Sequence, residues 1–311
     1  MKKKSILIAG GTGFIGYHLA KKALKKKYLV SVISTKKPHK YRKLNKAKYI
    51  ICDISDKNQL QKKVKSKYDF IINLAGYVNH QEKVKTYNSH FKGSKNLADF
   101  FLNKKIISFL QIGSSAEYGK SKAPHTEFTK CDIKSSYAKA KFDAQKYLKK
   151  LNQKYSFRYN IIRFYQVYGP KQNLNRFIPI VVFNCLKNRS FPSSEGKQDR
   201  DFLFIDDAVD AIFKVLNNKK SSNQIYNIGY GKPLNIKKLI LKIVKLCMGG
   251  KPMFGKIKLR KDESLLSYPS IIKARKKLGW KPKIDIDEGL KKTIKYYKFK
   301  SNKLIDIKMG V

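Results

Sequence analysis

Three side chains of this sequence have the types and the spacing that proton transfer to or from a hydroxyl or carbonyl group requires. Tyr137 and Lys141 lie four residues apart in SYAKAKF, so a helix would place them on one face. The pKa of a free phenol is about 10, and a neighbouring ammonium lowers it toward a value useful at neutral pH. A serine hydroxyl near the same oxygen would complete the set, and Ser114 and Ser115 in GSSAEYG can supply it.

Chance would also place a tyrosine and a lysine at this spacing, because the chain has 70 lysines and arginines and 19 tyrosines. A second motif makes chance the weaker explanation. The stretch GGTGFIG, residues 10–16, lies between a short apolar run and a helix-length amphipathic stretch. Such glycines let the backbone turn tightly and approach a pyrophosphate at a helix N-terminus, where free N–H groups favour an anion. The motif predicts a dinucleotide-binding loop, and a turn that serves only packing is the alternative.

Short apolar runs alternate with amphipathic stretches, which indicates a parallel sheet covered by helices on both faces. The predicted strands are residues 5–9, 29–34, 49–52, 70–74, 106–112, 160–164, 200–205 and 225–228. The predicted helices are residues 14–27, 57–65, 82–102, 137–151 and 206–216. We therefore predict an α/β fold with a Rossmann-type, doubly wound parallel sheet formed by residues 1–169 and 200–229. Prolines punctuate the remainder, which predicts a smaller interleaved C-terminal domain of residues 170–199 and 230–311.

Composition narrows the class of protein. With 311 residues, 42% of them hydrophobic, the chain can bury a large core. No run approaches the roughly 20 apolar residues of a membrane span, and the run at residues 6–9 is too short for a signal peptide, so we expect a cytoplasmic protein without a membrane partner. Cys52, Cys131, Cys185 and Cys247 lie far apart without metal-ligand spacing, which predicts reduced thiols and no metal site.

The net charge of +49 raises the question of nucleic-acid binding. Lysine is spread along the whole chain, which fits the codon bias of an AT-rich genome better than a local phosphate-binding face, so we expect no nucleic-acid partner. Arginine is the more informative cation here, because there are only eight and its rigid fork suits phosphate. Four of them lie beside aromatic or acidic residues in the second half: Arg163, Arg176, Arg200 and Arg260.

Taken together, the motifs resemble those of the extended short-chain dehydrogenases/reductases of the nucleotide-sugar epimerase/dehydratase group. The motifs that carry the resemblance are GGTGFIG, NLAG (73–76), SSAEYG, YAKAK, RFYQVYGP (163–170), RDFLFIDDAVDAI (200–212), YNIG (226–229) and KARKKLGWKP (273–282). The resemblance covers nearly the whole chain. It implies a Rossmann domain with a tightly held nicotinamide cofactor, a C-terminal substrate domain for a nucleotide-diphosphate sugar, and a homodimer formed through helices 82–102 and 137–151.

The family pattern also implies roles for single residues. Ser114 would be the catalytic hydroxyl, Tyr137 the acid/base, and Lys141 its activator, which also holds the nicotinamide ribose. The residues expected at the cofactor, with Asp53 at the adenine, are Gly10, Thr12, Gly13, Phe14, Ile15, Gly16, Ser34, Thr35, Lys36, Asp53, Ile54, Leu74, Ala75, Gly76, Tyr137, Lys141 and Val167. The residues expected at the substrate, with the last two at its pyrophosphate, are Ser115, Gln166, Arg176, Arg200 and Arg260. Arg163 would orient the end of its strand near the cofactor.

The chain departs from the sugar 4,6-dehydratases of this group, which place an acid pair after the catalytic hydroxyl. Ser115 and Ala116 occupy those positions, and Glu117 lies one position late. Gln166 stands where the family commonly has asparagine. Because elimination of water needs a placed acid and base, two main reactions remain. We favour NAD(P)H-dependent reduction of the C4 keto group of a nucleotide-diphosphate 4-keto-6-deoxyhexose, in deoxysugar and surface-polysaccharide biosynthesis.

The alternative reaction is C4 epimerisation of a nucleotide sugar with retained NAD, and a noncatalytic cofactor-binding sensor or scaffold is a more distant one. The end of the second predicted strand bears on this choice. Chains that bind NAD commonly have Asp or Glu there, which contacts the ribose and repels a 2′-phosphate. This sequence has Ser34, Thr35 and Lys36 instead. We therefore predict NADP, with NAD as the alternative, and a cofactor consumed as a reductant favours reduction.

Overall fold

A sheet of seven parallel strands organises the protein, whose computed structural model describes residues 3–77, 81–218, 222–259 and 263–301. In chain order the strands are β1 (Ser5–Ala9), β2 (Leu29–Ser34), β3 (Lys48–Ile51), β4 (Phe70–Asn73), β5 (Ser108–Ser114), β6 (Tyr159–Phe164), β7 (Gln166–Tyr168), β8 (Ser190–Pro192), β9 (Asp199–Arg200), β10 (Phe202–Phe204), β11 (Gln224–Ile228), β12 (Leu234–Asn235), β13 (Lys251–Met253) and β14 (Leu266–Ser267). The helices are α1 (Phe14–Lys25), α2 (Lys57–Lys63), α3 (Lys83–Tyr87), α4 (Gly93–Phe101), α5 (Ser136–Tyr155), α6 (Phe177–Leu186), α7 (Ile205–Asn217), α8 (Ile236–Cys247), α9 (Ile272–Leu278) and α10 (Ile286–Ser301).

The strand order across this sheet is β3-β2-β1-β4-β5-β6-β11. The winding therefore reverses between β1 and β4, which is the Rossmann arrangement and confirms the predicted fold class. In sheets of this kind ligands bind beyond the carboxyl ends of the strands, close to the reversal. The loops after β1, β4 and β5 are thus the ones best placed to build a site.

Both faces of the sheet are buried, as the apolar strand sequences require. Ile6 and Ile8 of β1 pack into one core with α1 and α7, whereas Leu7 and Ala9 pack into a second core with α2, α4 and α5. All four side chains have no exposed surface. Alternate residues of a strand point to opposite faces, so a run of consecutive apolar residues serves two cores at once.

The predicted helix over residues 82–102 is wrong in detail. The chain forms α3, then a π-helical turn at Asn88–Lys92, and then α4. The π turn adds one residue to the spiral, and such turns occur frequently at functional sites. An amphipathic pattern alone does not reveal it, because helical backbone continues through the turn on both sides.

The predicted strand over residues 200–205 is also wrong in detail, because it is split. Arg200 ends β9, and Phe202 begins β10, which pairs with β7. Between them the carboxylate of Asp201 turns inward and accepts the N–H groups of Tyr230 and Gly231 at 2.7 and 2.6 Å. The chain leaves one small sheet for another at this buried turn, and α7 starts at Ile205.

The C-terminal elements form small sheets beside the large one. β9 pairs with β12 and β14, and β8 pairs with β13. Helices α6, α8 and α10 pack together through Val181, Leu239 and Leu290, and their core is continuous with one core of the large sheet. The division at residues 170, 200 and 230 into two domains stays a prediction.

No helix among the described residues is long and apolar enough to span a membrane. In the same part of the chain, no three His, Cys, Asp or Glu side chains are grouped so that they could hold a metal ion. The four cysteines are free thiols.

Candidate active site

Close contacts in the structure explain the glycines of the loop between β1 and α1. Gly10 has φ of +78°, and a Cβ there would lie 2.7 Å from the backbone N of Ala75 in the loop after β4. A Cβ on Gly16 would collide with the carbonyl oxygen of Gly10. Gly13 is the N-cap residue of α1 and makes no side-chain cap. The first N–H groups of α1 therefore face a cradle without side chains, which suits the pyrophosphate of a dinucleotide.

Ser34 lies at the end of β2, next to this loop. Its hydroxyl is 2.8 Å from the Thr12 hydroxyl and donates to the carbonyl oxygen of Lys36 at 2.8 Å. Lys36 is exposed. Two hydroxyls, with an exposed lysine two residues beyond Ser34, thus lie at the strand end where chains that bind NAD commonly have an acidic side chain.

Arg42 supports this end of the loop from behind, a role that the sequence analysis missed. Its guanidinium is buried and donates to the carbonyl oxygen of Thr12 at 3.4 Å and to Asn173 Oδ1 at 2.5 Å. It thereby ties the glycine loop to the chain that follows β7. The rarity of arginine in this lysine-rich sequence was the one available signal.

Asp53, predicted to contact the adenine, forms a tight turn after β3. Its Oδ1 accepts the N–H and the hydroxyl of Ser55, each at 2.8 Å. Asp56, and not Asp53, caps α2 by accepting the N–H of Gln59. The adenine contact stays a prediction.

The three predicted catalytic side chains come together at the carboxyl end of β5. Ser114 is the last residue of that strand, Tyr137 is the second residue of α5, and their hydroxyls are hydrogen bonded. Lys141 lies one turn further along α5, with its Nζ 5.8 Å from the centre of the Tyr137 ring. It is 4% exposed and donates to the carbonyl oxygen of Ile112 at 2.7 Å.

The π turn provides one wall of this site. The ring of His90 packs edge-on against the ring of Tyr137, with 4.9 Å between centroids. A side chain at position 76 would overlap the His90 ring, which explains Gly76 after β4. The extra residue of the π turn thus brings an aromatic side chain against the phenol.

Burial dominates the protonation of the two titratable groups. It raises the pKa of Tyr137, and the charge of Glu117 acts in the same direction, while the Ser114 hydrogen bond and the charge of Arg176 oppose it. Burial also lowers the pKa of Lys141 to about 8, against the charge of Glu117, which raises it. The phenol is therefore protonated at neutral pH, and the ammonium is close to its titration range.

We expect cofactor affinity to fall as the pH rises above about 8. Lys141 loses its proton there, and with it the charge that would bind the ribose, so the dissociation constant should increase by up to about tenfold per pH unit. The measurement is fluorescence titration of NADPH between pH 6.5 and pH 9.5, roughly three units that span this pKa. The Lys141→Met variant should bind more weakly at pH 7 but without this dependence; an unchanged dependence in that variant would contradict the assignment.

The predicted substrate residues lie on several different elements of the structure. Arg176 is exposed just before α6, and its charge reaches Tyr137. Gln166 is exposed at the start of β7, and Ser115 begins the turn after β5. Arg260 lies outside the described residues.

Arg200 differs from the other predicted substrate residues because its guanidinium is already engaged. It pairs with Glu263 at 2.8 Å and donates to the carbonyl oxygen of Ser264 at 2.6 Å. Contact with a pyrophosphate would require it to leave or share these partners. The predicted role of Arg200 therefore stays a prediction.

Glu117 has a place that the sequence did not reveal. It is completely buried, forms an ion pair with Arg163 at 2.9 Å and accepts the N–H of Ser114 at 2.8 Å. Because its other oxygen accepts Arg163 Nε at 3.0 Å, both oxygens are held by buried donors, and Glu117 is not free to act as an eliminating acid.

Comparison with known proteins agrees with this geometry. A model of the NAD dependent epimerase/dehydratase family matches residues 6–229. The chain is 32% identical over 308 residues to a putative UDP-glucose 4-epimerase of Methanocaldococcus jannaschii, a match that covers 94% of this chain and 98% of that protein. It is 26% identical to the CDP-abequose synthase of Salmonella typhimurium, again over 94% of this chain and 98% of that protein.

A solved structure shows the same fold. The UDP-glucose 4-epimerase of Thermotoga maritima, determined with UDP-glucose, matches with a TM-score of 0.89 at 24% identity. The match covers 96% of this chain and 99% of that one. It extends past the large sheet into the C-terminal elements.

Proposed function

The chain belongs to the NAD dependent epimerase/dehydratase family, and on that premise we propose that it reduces the C4 keto group of a nucleotide-diphosphate 4-keto-6-deoxyhexose with NADPH. The observation that carries the choice of NADPH is Ser34 at the end of β2, paired with the Thr12 hydroxyl beside the exposed Lys36. A 2′-phosphate bound at this end of β2 would have two hydroxyl donors and a lysine beside it, and no carboxylate at positions 34–36 to repel it. NADPH is typically spent as a reductant, so the preference favours net reduction.

The three candidate catalytic side chains are suited to donating a proton to the substrate. When bound, the nicotinamide supplies the hydride to C4. Ser114 Oγ accepts the N–H of Ala116 at 3.2 Å and is hydrogen bonded to the Tyr137 hydroxyl, so a substrate oxygen would bind to this pair of hydroxyls. Tyr137, whose pKa is raised by burial, donates the proton that turns the carbonyl into a hydroxyl. Lys141 holds positive charge beneath the ring and stabilises the phenolate left behind.

Elimination of water fits this site poorly. Glu117, the carboxylate nearest in sequence to Ser114, has both oxygens engaged by buried donors. The likeness to a CDP-abequose synthase is compatible with a synthase-type reduction. Ser115, Gln166, Arg176, Arg200 and Arg260 are proposed to contact the substrate, the arginines at its diphosphate, because their forks match phosphate oxygens.

A second candidate is a C4 epimerase that retains NAD. It is favoured by the likeness to a putative UDP-glucose 4-epimerase at 32% identity over nearly the full length. Both reactions use Ser114, Tyr137 and Lys141 in the same positions. They differ in whether the cofactor is consumed.

The deciding experiment starts from purified protein whose bound cofactor is identified after denaturation. NADPH and NADH oxidation are then followed with a panel of nucleotide 4-keto-6-deoxy sugars bearing uridine, cytidine, guanosine or thymidine. We expect stoichiometric NADPH consumption with at least one of them. Bound NAD, no consumption, and inversion at C4 of an ordinary nucleotide sugar would establish the epimerase instead.

The proposal includes a homodimer in the cytoplasm. The helices named for the interface are α3, α4 and α5, where Val84 exposes 74% of its surface beside α5. The division into a cofactor domain and a substrate domain belongs to the same proposal.

A further inference from the structure

An ion pair without solvent contact lies directly beneath the candidate active site. Glu117 is 0% and Arg163 is 1% exposed, and Arg163 is among the largest completely buried side chains in the described part of the protein. Removing two charges from water is costly, and apolar residues of similar size often stabilise a fold at least as well. We propose that the Glu117–Arg163 pair is a positioning unit that fixes Ser114 relative to Tyr137 and Lys141.

The carboxylate holds the strand end that carries Ser114. One oxygen, Oε1, accepts the N–H of Ser114 at 2.8 Å, and the other, Oε2, accepts Arg163 Nε at 3.0 Å. In return the Ser114 hydroxyl accepts the N–H of Ala116, which completes a capping box around the turn. The orientation of the serine is thereby fixed at its backbone and at its side chain.

The guanidinium extends the same support to α5. Arg163 Nη2 donates to Gln145 Oε1 at 2.6 Å and to Cys131 Sγ at 3.3 Å. Gln145 lies one turn beyond Lys141 on the helix that also carries Tyr137. The fork of an arginine can bind the carboxylate and the amide together, which a lysine cannot do with the same geometry.

The neighbouring backbone is adapted to the pair. A Cβ on Gly113 would lie 2.7 Å from Glu117 Oε1 and 3.1 Å from Arg163 Cγ. Gly113 and Arg163 are register partners on β5 and β6. The glycine before Ser114 therefore makes room for a carboxylate under the strand end.

This inference rests on the proposed function only in assuming that the site is catalytic, and its tests use whichever reaction the wild type performs. The first variant is Glu117→Gln, which keeps an acceptor for Ser114 but removes the charge. The second is the double variant Glu117→Leu/Arg163→Met, which removes both buried charges and is expected to fold. The matched control is Asp207→Asn, a buried carboxylate in α7 that accepts the N–H groups of Lys283 and Ile284.

We expect kcat to fall about 100-fold in the double variant, because small displacements of reacting groups have effects of this size. At about pH 6.5, below the titration range of Lys141, the KM values for cofactor and substrate should stay within about threefold, because the buried pair has no surface for either ligand to contact. Asp207→Asn should lose stability without this loss in kcat. A double variant that folds and retains kcat within about threefold of wild type would overturn the proposal.

A second readout does not need turnover. Three residues face Lys141: Ile112 of β5, Tyr137 of the same helix, and Glu117 of the turn after β5. The charge of Glu117 raises the pKa of Lys141. In Glu117→Gln the pH above which cofactor affinity declines should therefore move downward. An unchanged pH dependence together with wild-type kcat would show that the pair serves the fold alone, whereas an inactive wild type with the shifted dependence would count against the proposed function only.

Discussion

Replacing Tyr137 by phenylalanine lowers kcat by about 10³-fold and leaves the dissociation constant of the cofactor within about threefold of the wild-type value. The expected size follows from the loss of a positioned proton donor, which contributes about 10² to 10⁴ in rate. The ring remains, so its edge-on contact with His90 and its place beside Lys141 are kept. The measurement is kcat for the reaction found in the substrate panel, with cofactor affinity from fluorescence titration.

The matched control is Tyr147→Phe. Tyr147 is carried by the same helix, α5, but its hydroxyl donates to Asp99 of α4, away from the serine. This variant removes a tyrosine hydroxyl without touching the site and should keep wild-type turnover. Should Tyr137→Phe retain full activity as well, the phenol is not the proton donor; a wild type that binds cofactor but turns over nothing would favour a sensor or scaffold.

The proximity of Ser114, Tyr137 and Lys141 was predictable because each of them lies in a short motif of recognisable composition. Ser114 ends an apolar strand, and the tyrosine and lysine share a helix face by spacing alone. The alternation of strands and helices then places both motifs at one edge of the sheet. Local periodicity and topology rules were sufficient to bring the two motifs together, whereas the choice of Ser114 over Ser115 came from the family resemblance.

The supporting contacts were not predictable because they join residues far apart in the chain. Glu117 and Arg163 are 46 positions apart, and Arg200 reaches Glu263 across 63 positions. The sequence marked Arg163 and Arg200 as unusual but did not show that each has an acidic partner. For Arg200 the partner changes the expectation, because a substrate diphosphate has to compete with a carboxylate already in place.

The π turn at Asn88–Lys92 was hidden for another reason. Its backbone hydrogen bonds shift by one residue, while the sequence around it keeps an ordinary amphipathic pattern. The signal lies in Gly76, whose missing side chain leaves space for the His90 ring. Because Gly76 and His90 are 14 positions apart, the reason for this glycine can be recognised only once the fold is known.

Ser34→Asp is expected to reverse the cofactor preference, from NADPH in the wild type to NADH. The Ser34 hydroxyl lies 2.8 Å from that of Thr12, in the glycine loop between β1 and α1. A carboxylate in its place would accept hydrogen bonds from the ribose 2′-OH of NADH and repel the 2′-phosphate of NADPH. We expect NADPH affinity to fall about 100-fold, or about 3 kcal/mol, while NADH affinity rises. The measurement is titration of both cofactors at several salt concentrations.

Two lysine variants separate attraction of the phosphate from the general charge of the protein. Lys36→Gln removes an ammonium next to Ser34, whereas Lys48→Gln removes one from the amino end of β3, opposite Ser31. Only Lys36→Gln should lower the affinity for NADPH, by about tenfold, and it should leave the affinity for NADH unchanged. If both variants lower the affinity for NADPH equally, the net charge of +49 attracts the phosphate without a local site. If the wild type prefers NADH and Ser34→Asp changes nothing, the strand end does not choose the cofactor, and the main argument for reduction over epimerisation is lost.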